Sequence, residues 1–259
     1  MPAHGSKAKW GTIHLMPSPD QKTAIVTGGL AGIGLAIAQA LAQNGFRVAL
    51  GARRADDPAL QARIRDQIGA DAIIHRLDVC RESSVEDFCQ MVRAETGSID
   101  VLVNAAGISV HQTVSGHDLR DWQDVINTNL TGPFLMTRAC LPGMIAAGWG
   151  RIVNIASTAA RTAVADYPAY CASKSGLLGL TRAVALEGAP HGVTCVAVSP
   201  TWVETDMLRQ SAEIMAKSAE RSTEDEIAAL AKANPQNRLV QPGEIAALVA
   251  FCALTPRPR

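Results

Sequence analysis

Tyr170 and Lys174 stand four residues apart in a long run of Ala, Leu, Gly and Ser that reads as a helix from Pro168 onward. Residues i and i+4 share a helix face, so the phenol and the ammonium are neighbours there. A phenol has a reference pKa of about 10, too high for acid/base work near neutrality, and a nearby ammonium favours the phenolate. Ahead of this helix, the short apolar run 151–156 reads as a buried strand that ends at Ser157. A hydroxyl at that strand's carboxyl end would donate a hydrogen bond to a substrate oxygen beside the phenol. Such a set is a proton-transfer site for a carbonyl/alcohol pair. The Tyr-x-x-x-Lys spacing also arises on solvated helices, so its meaning depends on the elements around it.

Those elements alternate. Thr23 to Thr27 reads as a buried strand, followed by a turn containing Gly28, Gly29, Leu30, Ala31, Gly32, Ile33 and Gly34, and then by a helix closed at Asn44-Gly45. Strand, glycine turn and helix make a pyrophosphate cradle: Gly lets backbone N–H groups approach the phosphates, and the helix N-terminus adds partial positive charge. The spacing is G-x-x-x-G-x-G rather than the commoner G-x-G-x-x-G. A second strand at 46–51 ends in Ala52-Arg53-Arg54. An acid at that end would hold ribose hydroxyls, whereas Arg accommodates a 2′-phosphate. Arg53 and Arg54 thus favour NADP(H), and Asp56 and Asp57 close by keep NAD(H) possible.

Helices are expected at 57–68 and 82–95, and strands at 72–77, 99–103 and 193–199. The stretch 118–147 reads as one long helix with a kink at 127–133, because Asn and Gly are poor helix formers. Asn129 in that kink would expose a carbonyl, hold a water, or serve as a packing amide. Pro242 opens a last helix, and Pro256 and Pro258 prevent its continuation. The alternation predicts an α/β fold: one doubly wound, Rossmann-like parallel sheet flanked by helices in a single domain, with ligands outside the strands' carboxyl ends. Thr27, Arg53, Asp78, Asn104 and Ser157 all fall at such ends. Residues 206–233 are charged and helical, which reads as a substrate lid or as a solvated helix pair.

Composition narrows the class. The 259 residues are 47% hydrophobic with no net charge, without the basic footprint of a nucleic-acid binder. No apolar run approaches the roughly 18 residues that span a membrane. The six cysteines lack zinc or CxxC spacing, so no metal is expected, and they read as reduced, cytoplasmic thiols. Residues 1–20 read as a disordered leader or expression remnant, with Met16 as an alternative start.

The residues 22–253 resemble the short-chain dehydrogenase/reductase family, and in particular 3-oxoacyl reductases. Thr27 to Gly34 matches its T-G-x-x-x-G-x-G, Asn104-Ala105-Ala106-Gly107 its N-N-A-G with Ala105 replacing Asn, and Asn129, Ser157, Tyr170 and Lys174 its catalytic tetrad in order. The resemblance implies that Tyr170 is the general acid/base, that Lys174 lowers its pKa and binds the nicotinamide ribose, that Ser157 positions the substrate oxygen, and that Asn129 holds a relay water. It implies that Asp78 and Val79 meet the adenine, that Val203 and Thr205 hold the carboxamide, and that Asn104, Ala105, Gly107 and Pro200 line the cofactor site. Ser109, Val110, Tyr167 and Trp202, with a lid at about 204–233, would form a mostly apolar substrate pocket.

Two departures stand out. The family's Pro-Gly after the sixth strand is Pro200-Thr201, and the family's seventh strand has no counterpart at 255–259. The resemblance implies a homo-dimer or homo-tetramer, which the missing strand puts in question. It implies reduction of a ketone, with a 3-oxoacyl thioester the first choice, or oxidation of the alcohol. A cofactor-binding sensor or scaffold without turnover is the alternative.

Overall fold

The computed structural model describes residues 21–256; the leader at 1–20 lies outside the described residues. Six parallel strands form one sheet: β1 (Thr23–Thr27), β2 (Arg47–Ala52), β3 (Ile73–Arg76), β4 (Val101–Asn104), β5 (Gly150–Ile155) and β6 (Val193–Val198), in the order β3-β2-β1-β4-β5-β6. Helices α1 (Gly32–Gln43), α2 (Pro58–Ile68) and α10 (Pro242–Leu254) cover one face. On the other lie α3 (Glu82–Thr96), α5 (Gly132–Ala147) and α7 (Pro168–Gly188). The expected fold is therefore the observed one. Strand ends shift by one or two residues, because hydrogen-bond pairing and not apolar pattern sets them.

The two cores explain the pattern of the strands. In β1, all five residues are buried, since a parallel strand covered on both faces has no solvated side. Alternate residues feed the two layers: Ala24 and Val26 join Leu41 and Val249, whereas Ile25 joins Phe88 and Met136. The strand order reverses between β1 and β4, where Thr27 pairs with Asn104. That reversal opens the crevice at which such sheets bind ligands.

The expected kink has a definite form. Helix α4 (Leu119–Ile126) runs into a π-helical turn, Asn127–Thr131, and then into α5. Gly132 N–H reaches the Asn127 carbonyl, five residues back. A methyl group at Gly132 would lie 2.8 Å from Val79 Cγ2, so this residue lets the wide turn close onto the sheet. A short helix that the sequence pattern missed, α6 (Ala159–Thr162), fills the loop after β5.

The segment after β6 is a pair of helices, α8 (Asp206–Ser218) and α9 (Thr223–Ala233), capped by Thr205 and Ser222 side chains. They pack on each other through Leu208, Ala212 and Leu230. A bridge between Val203 and Val240 closes their base. Among the described residues no strand follows β6. Instead α10 ends at Leu254, and the Arg151 guanidinium donates to the Thr255 and Pro256 carbonyls.

Candidate active site

Thr27 organises the crevice. Its hydroxyl accepts the Ala105 and Ala106 N–H groups at 3.1 Å each, which folds the chain after β4 over the end of β1. The glycine turn meets this loop closely. A Cβ on Gly28, where φ is +67°, would lie 2.9 Å from Ala106 Cα, and one on Gly34 would lie 2.4 Å from the Gly28 carbonyl. No side chain caps α1 at Ala31, so its first N–H groups point uncapped into the crevice. The cradle therefore fits a phosphate group on geometry as well as on spacing. Within the turn, Gly32 is exposed and Ile33 partly so, while Leu30 turns its side chain into the core beneath.

At the end of β2 both Arg53 and Arg54 are exposed. The acids that kept NAD(H) open are committed elsewhere: Asp57 caps α2 through the Ala59 and Leu60 N–H groups, and Asp56 pairs with Arg76 at 3.1 Å. Asp78 accepts the Cys80 N–H and is itself held through its backbone by Ser84, and Val79 is buried against Gly132. Asn104 departs from the expected cofactor role. Its amide is buried in the sheet and donates to Asn154 Oδ1 at 2.8 Å, leaving the small residues Ala105, Ala106 and Gly107 to form the shelf.

The phenol, hydroxyl and ammonium converge as the spacing predicts. The Ser157 hydroxyl lies close enough to the Tyr170 phenol to favour its ionised form. Ser157 Oγ also accepts the Ala159 N–H at 3.1 Å from α6. Lys174 Nζ lies 5.6 Å from the Tyr170 ring centroid and 3.6 Å from where a Gly107 Cβ would sit, on the cofactor side. It donates to the Ile155 carbonyl at 2.7 Å, and two of its three N–H donors have no partner among the described residues. Buried donors without acceptors fit a ligand bearing hydroxyls.

The electrostatics correct one expectation. Burial, the largest effect, holds the Tyr170 phenol above its usual value, only partly offset by the Ser157 hydrogen bond. Burial also brings the Lys174 ammonium down to about 8. The expected lowering of the phenol by lysine is absent: Lys174 is not among the groups that shift it. Lys174 Nζ lies 5.6 Å from the ring centroid, and desolvation outweighs the attraction of the pair.

Asn129 is likewise redefined. Its side chain is fully buried, Oδ1 accepts the Ile108 N–H, and Nδ2 donates to the Ile108 carbonyl and to Ser173 Oγ. Both amide protons are used, so the side chain braces the loop after β4 to α7 and has no donor left for a water.

The substrate side is more polar than the sequence suggested. Ser109 and Val110, expected there, are half-buried in the loop after β4. Tyr167 is buried, edge-on to Tyr170 at 6.5 Å and to His111 at 5.1 Å between ring centroids. The loop before it is strained: Ala163 and Asp166 both have positive φ, at 62° and 61°. Asp166 pairs with His111 at 3.8 Å. Trp202 packs into the core of the α8/α9 pair, not the pocket alone. Of the remaining positions, Pro200 lends its carbonyl to Thr158, Val203 is buried at the lid base, and Thr205 lies against Gly32. Thr201 avoids positive φ, so replacing the glycine usual there introduces no strain. Sequence reasoning missed Ser211 and Glu226, whose side chains from α8 and α9 act on Tyr167.

Comparison with known proteins supplies the context. The family model described as short chain dehydrogenase matches residues 22–216. The chain is 36% identical over 231 residues to D-beta-hydroxybutyrate dehydrogenase of Cupriavidus necator, covering 89% of this chain and 90% of that one. It is 38% identical over 233 residues to acetoacetyl-CoA reductase of the same organism, covering 89% and 90%. A crystal structure of an actinorhodin polyketide ketoreductase variant with NADPH superposes with a TM-score of 0.86 at 38% identity, covering 92% of each chain.

Proposed function

Since the chain belongs to the short-chain dehydrogenase family and is an oxidoreductase of secondary alcohols and ketones, we propose that Tyr170 is its general acid/base, that NADP(H) is its cofactor and that a 3-oxoacyl thioester is its substrate. The observation that carries the reading is the convergence of Ser157, Tyr170 and Lys174 beside the shelf of Ala105, Ala106 and Gly107.

When bound, the nicotinamide supplies or accepts the hydride. The chain does the rest. The glycine turn and the uncapped start of α1 hold the pyrophosphate, and Arg53 and Arg54 take the 2′-phosphate, with no free acid beside them to repel it. Asp78 and Val79 border the adenine, and Val203 and Thr205 the carboxamide. Lys174 offers its two spare N–H donors to ribose hydroxyls. The Ser157 hydroxyl binds the substrate oxygen, and Tyr170 gives that oxygen a proton in reduction or removes one in oxidation. A phenol kept protonated by burial starts in the right state to act as the acid. Asn129 contributes through its main chain, because its amide is committed to Ile108 and Ser173. The α8/α9 pair closes over the substrate as a lid.

The choice of thioester is supported by the likeness to acetoacetyl-CoA reductase, and the choice of NADP(H) by the two arginines and by the NADPH-bound ketoreductase. We read the protein further as a cytoplasmic homo-oligomer, consistent with six unpaired cysteines and with the lack, among the described residues, of any helix long and apolar enough to cross a membrane.

The test is the Tyr170→Phe variant, assayed with NADPH and an acetoacetyl thioester. We expect kcat to fall by about three orders of magnitude or more, in line with loss of a positioned acid/base, while NADPH binding by fluorescence is kept. Turnover equal to that of the parent protein would remove Tyr170 from the mechanism.

A further inference from the structure

Away from the active site, a cleft of about 310 Å³ runs along the outer edge of β6. Arg161 of α6 and Leu178 and Arg182 of α7 line one side, and Cys195, Ala197 and Ser199 line the other. The direction of the β6 main chain follows from one bond: the Val198 carbonyl accepts the Ala156 N–H at 2.8 Å, so Val198 turns its main chain toward β5. Residues along a strand alternate in this respect, so the N–H and C=O groups of Cys195 and Ala197 turn outward, on the side where both residues line the cleft. No strand lies beyond β6 among the described residues, so these groups have no ladder partner.

The cleft is also positively charged. Arg161 and Arg182 are both exposed, and no carboxylate lines the space between them. Neither guanidinium enters an ion pair or a hydrogen bond among the described residues. On the other face of the same edge Val196 is 36% exposed, since Cys195 belongs to the α7 layer and Val198 to the α10 layer. The edge thus offers main-chain donors and acceptors, cations on one face and an apolar side chain on the other.

We propose that this edge docks an extended, acidic segment of a partner protein, which adds to the sheet beside β6. Main-chain bonds to Cys195 and Ala197 set its register. Alternate side chains then face α7, where carboxylates meet Arg161 and Arg182, and those between lie over Val196. This chain has no extended acidic run of its own to offer among the described residues. Glu86-Asp87 and Glu224-Asp225-Glu226 are helical, and Asp56 and Asp57 are held by Arg76 and by the cap of α2.

The probe is a capped, fluorescein-labelled peptide alternating Val and Glu, with a Val/Lys peptide as its control. Fluorescence anisotropy with the full chain should show the Glu peptide binding tighter by about tenfold or more. The double variant Arg161→Gln, Arg182→Gln should weaken that binding by about fivefold or more and leave the Val/Lys peptide no weaker. Two forms of the Glu peptide, methylated at alternate main-chain nitrogens, separate pairing from charge: the form blocked on its bonded side should lose binding, and the other should keep it. Bound peptide should slow hydrogen exchange of the Ala197 amide and compete with association of the protein through this edge at high concentration. Equal affinity for the Glu and Lys peptides overturns the proposal, as does an affinity that the double variant or both methylated forms leave within about twofold. Slow exchange of the Ala197 amide in dilute protein without peptide also overturns it, because a second copy or a segment outside the described residues would then already cover the edge.

Discussion

Lys174 is a buried cation with no ion-pair partner among the described residues. Its ammonium is brought down to about 8 from 10.5 by burial alone, and a shift of this size corresponds to roughly 3 kcal/mol at 1.36 kcal/mol per pH unit. The sign follows from linkage. Between about pH 8 and 10.5 the unfolded chain binds more protons at this position than the folded one, so stability rises with pH there. The penalty is fully present below about 8 and is relieved as pH approaches 10.5. Lys174→Met should therefore stabilise the cofactor-free protein at pH 7, by about 1–3 kcal/mol, while abolishing turnover. Denaturant melts at pH 7 and pH 10 check this: the gain should be largest at pH 7 and should shrink at pH 10. A variant that is less stable than the parent at pH 7 would contradict the assignment. At this scale the sequence showed the right residue types, but not their protonation. Spacing puts Tyr170 and Lys174 on one helix face; only the depth at which that face is buried sets both pKa values.

The lid depends on its base more than on its helices. Asn234, 2% exposed just past α9, accepts a hydrogen bond from Thr201 Oγ1 at 2.8 Å and donates to the Trp202 and Arg238 carbonyls at 3.1 and 2.7 Å. It ties the segment after β6 to the segment before α10, so it fixes the angle at which α8 and α9 leave the sheet. Asn234→Ala leaves these groups without partners and should cost about 1–3 kcal/mol of stability. If the lid acts on substrate, KM should rise several-fold with kcat less affected, since ordering the pocket wall becomes part of binding. A fall in melting temperature with both kinetic constants unchanged would limit Asn234 to a structural part. Element boundaries were legible where chemistry is local: Asp57 before Pro58, and the Gln241–Glu244 capping box around Pro242, mark helix starts. The π-helical turn was visible only as weakness, because Asn and Gly signal a break but not its geometry. Glu226 was hidden in an acidic run that reads as a solvated face. Which of three neighbouring acids turns inward depends on the partner helix α8.

Across the whole molecule, the sheet has two edge strands among the described residues, β3 and β6, and β6 is the uncharged one. β6 is hydrogen-bonded to β5 alone among the described residues, it carries no charge, and Val196 is exposed on it. An uncharged edge invites pairing with another chain. Val196→Lys should lower concentration-dependent association, followed by light scattering, with activity retained. Unchanged scattering would show that this edge takes no part. The start of the same edge is closed differently. Arg151, buried against Trp149, brings the start of β5, the loop at Gly192 and the chain after α10 together by donating to the Gly150, Gly192, Thr255 and Pro256 carbonyls. No pattern in the sequence pointed to that role, since an Arg opening a strand ordinarily reads as a solvated end.

The sequence alone determined the alternation of strands and helices, the glycine turn at the first crossover, and the Ser157, Tyr170, Lys174 set. Each follows from short-range constraints: periodicity, backbone freedom and i,i+4 spacing. The tertiary structure alone decided what those groups experience. It removed water from Lys174 and Tyr170, spent the Asn129 amide on Ile108, buried Asn104 in the sheet and turned Glu226 inward. Desolvation and hydrogen-bond choice depend on groups far apart in the chain, and no local pattern encodes them.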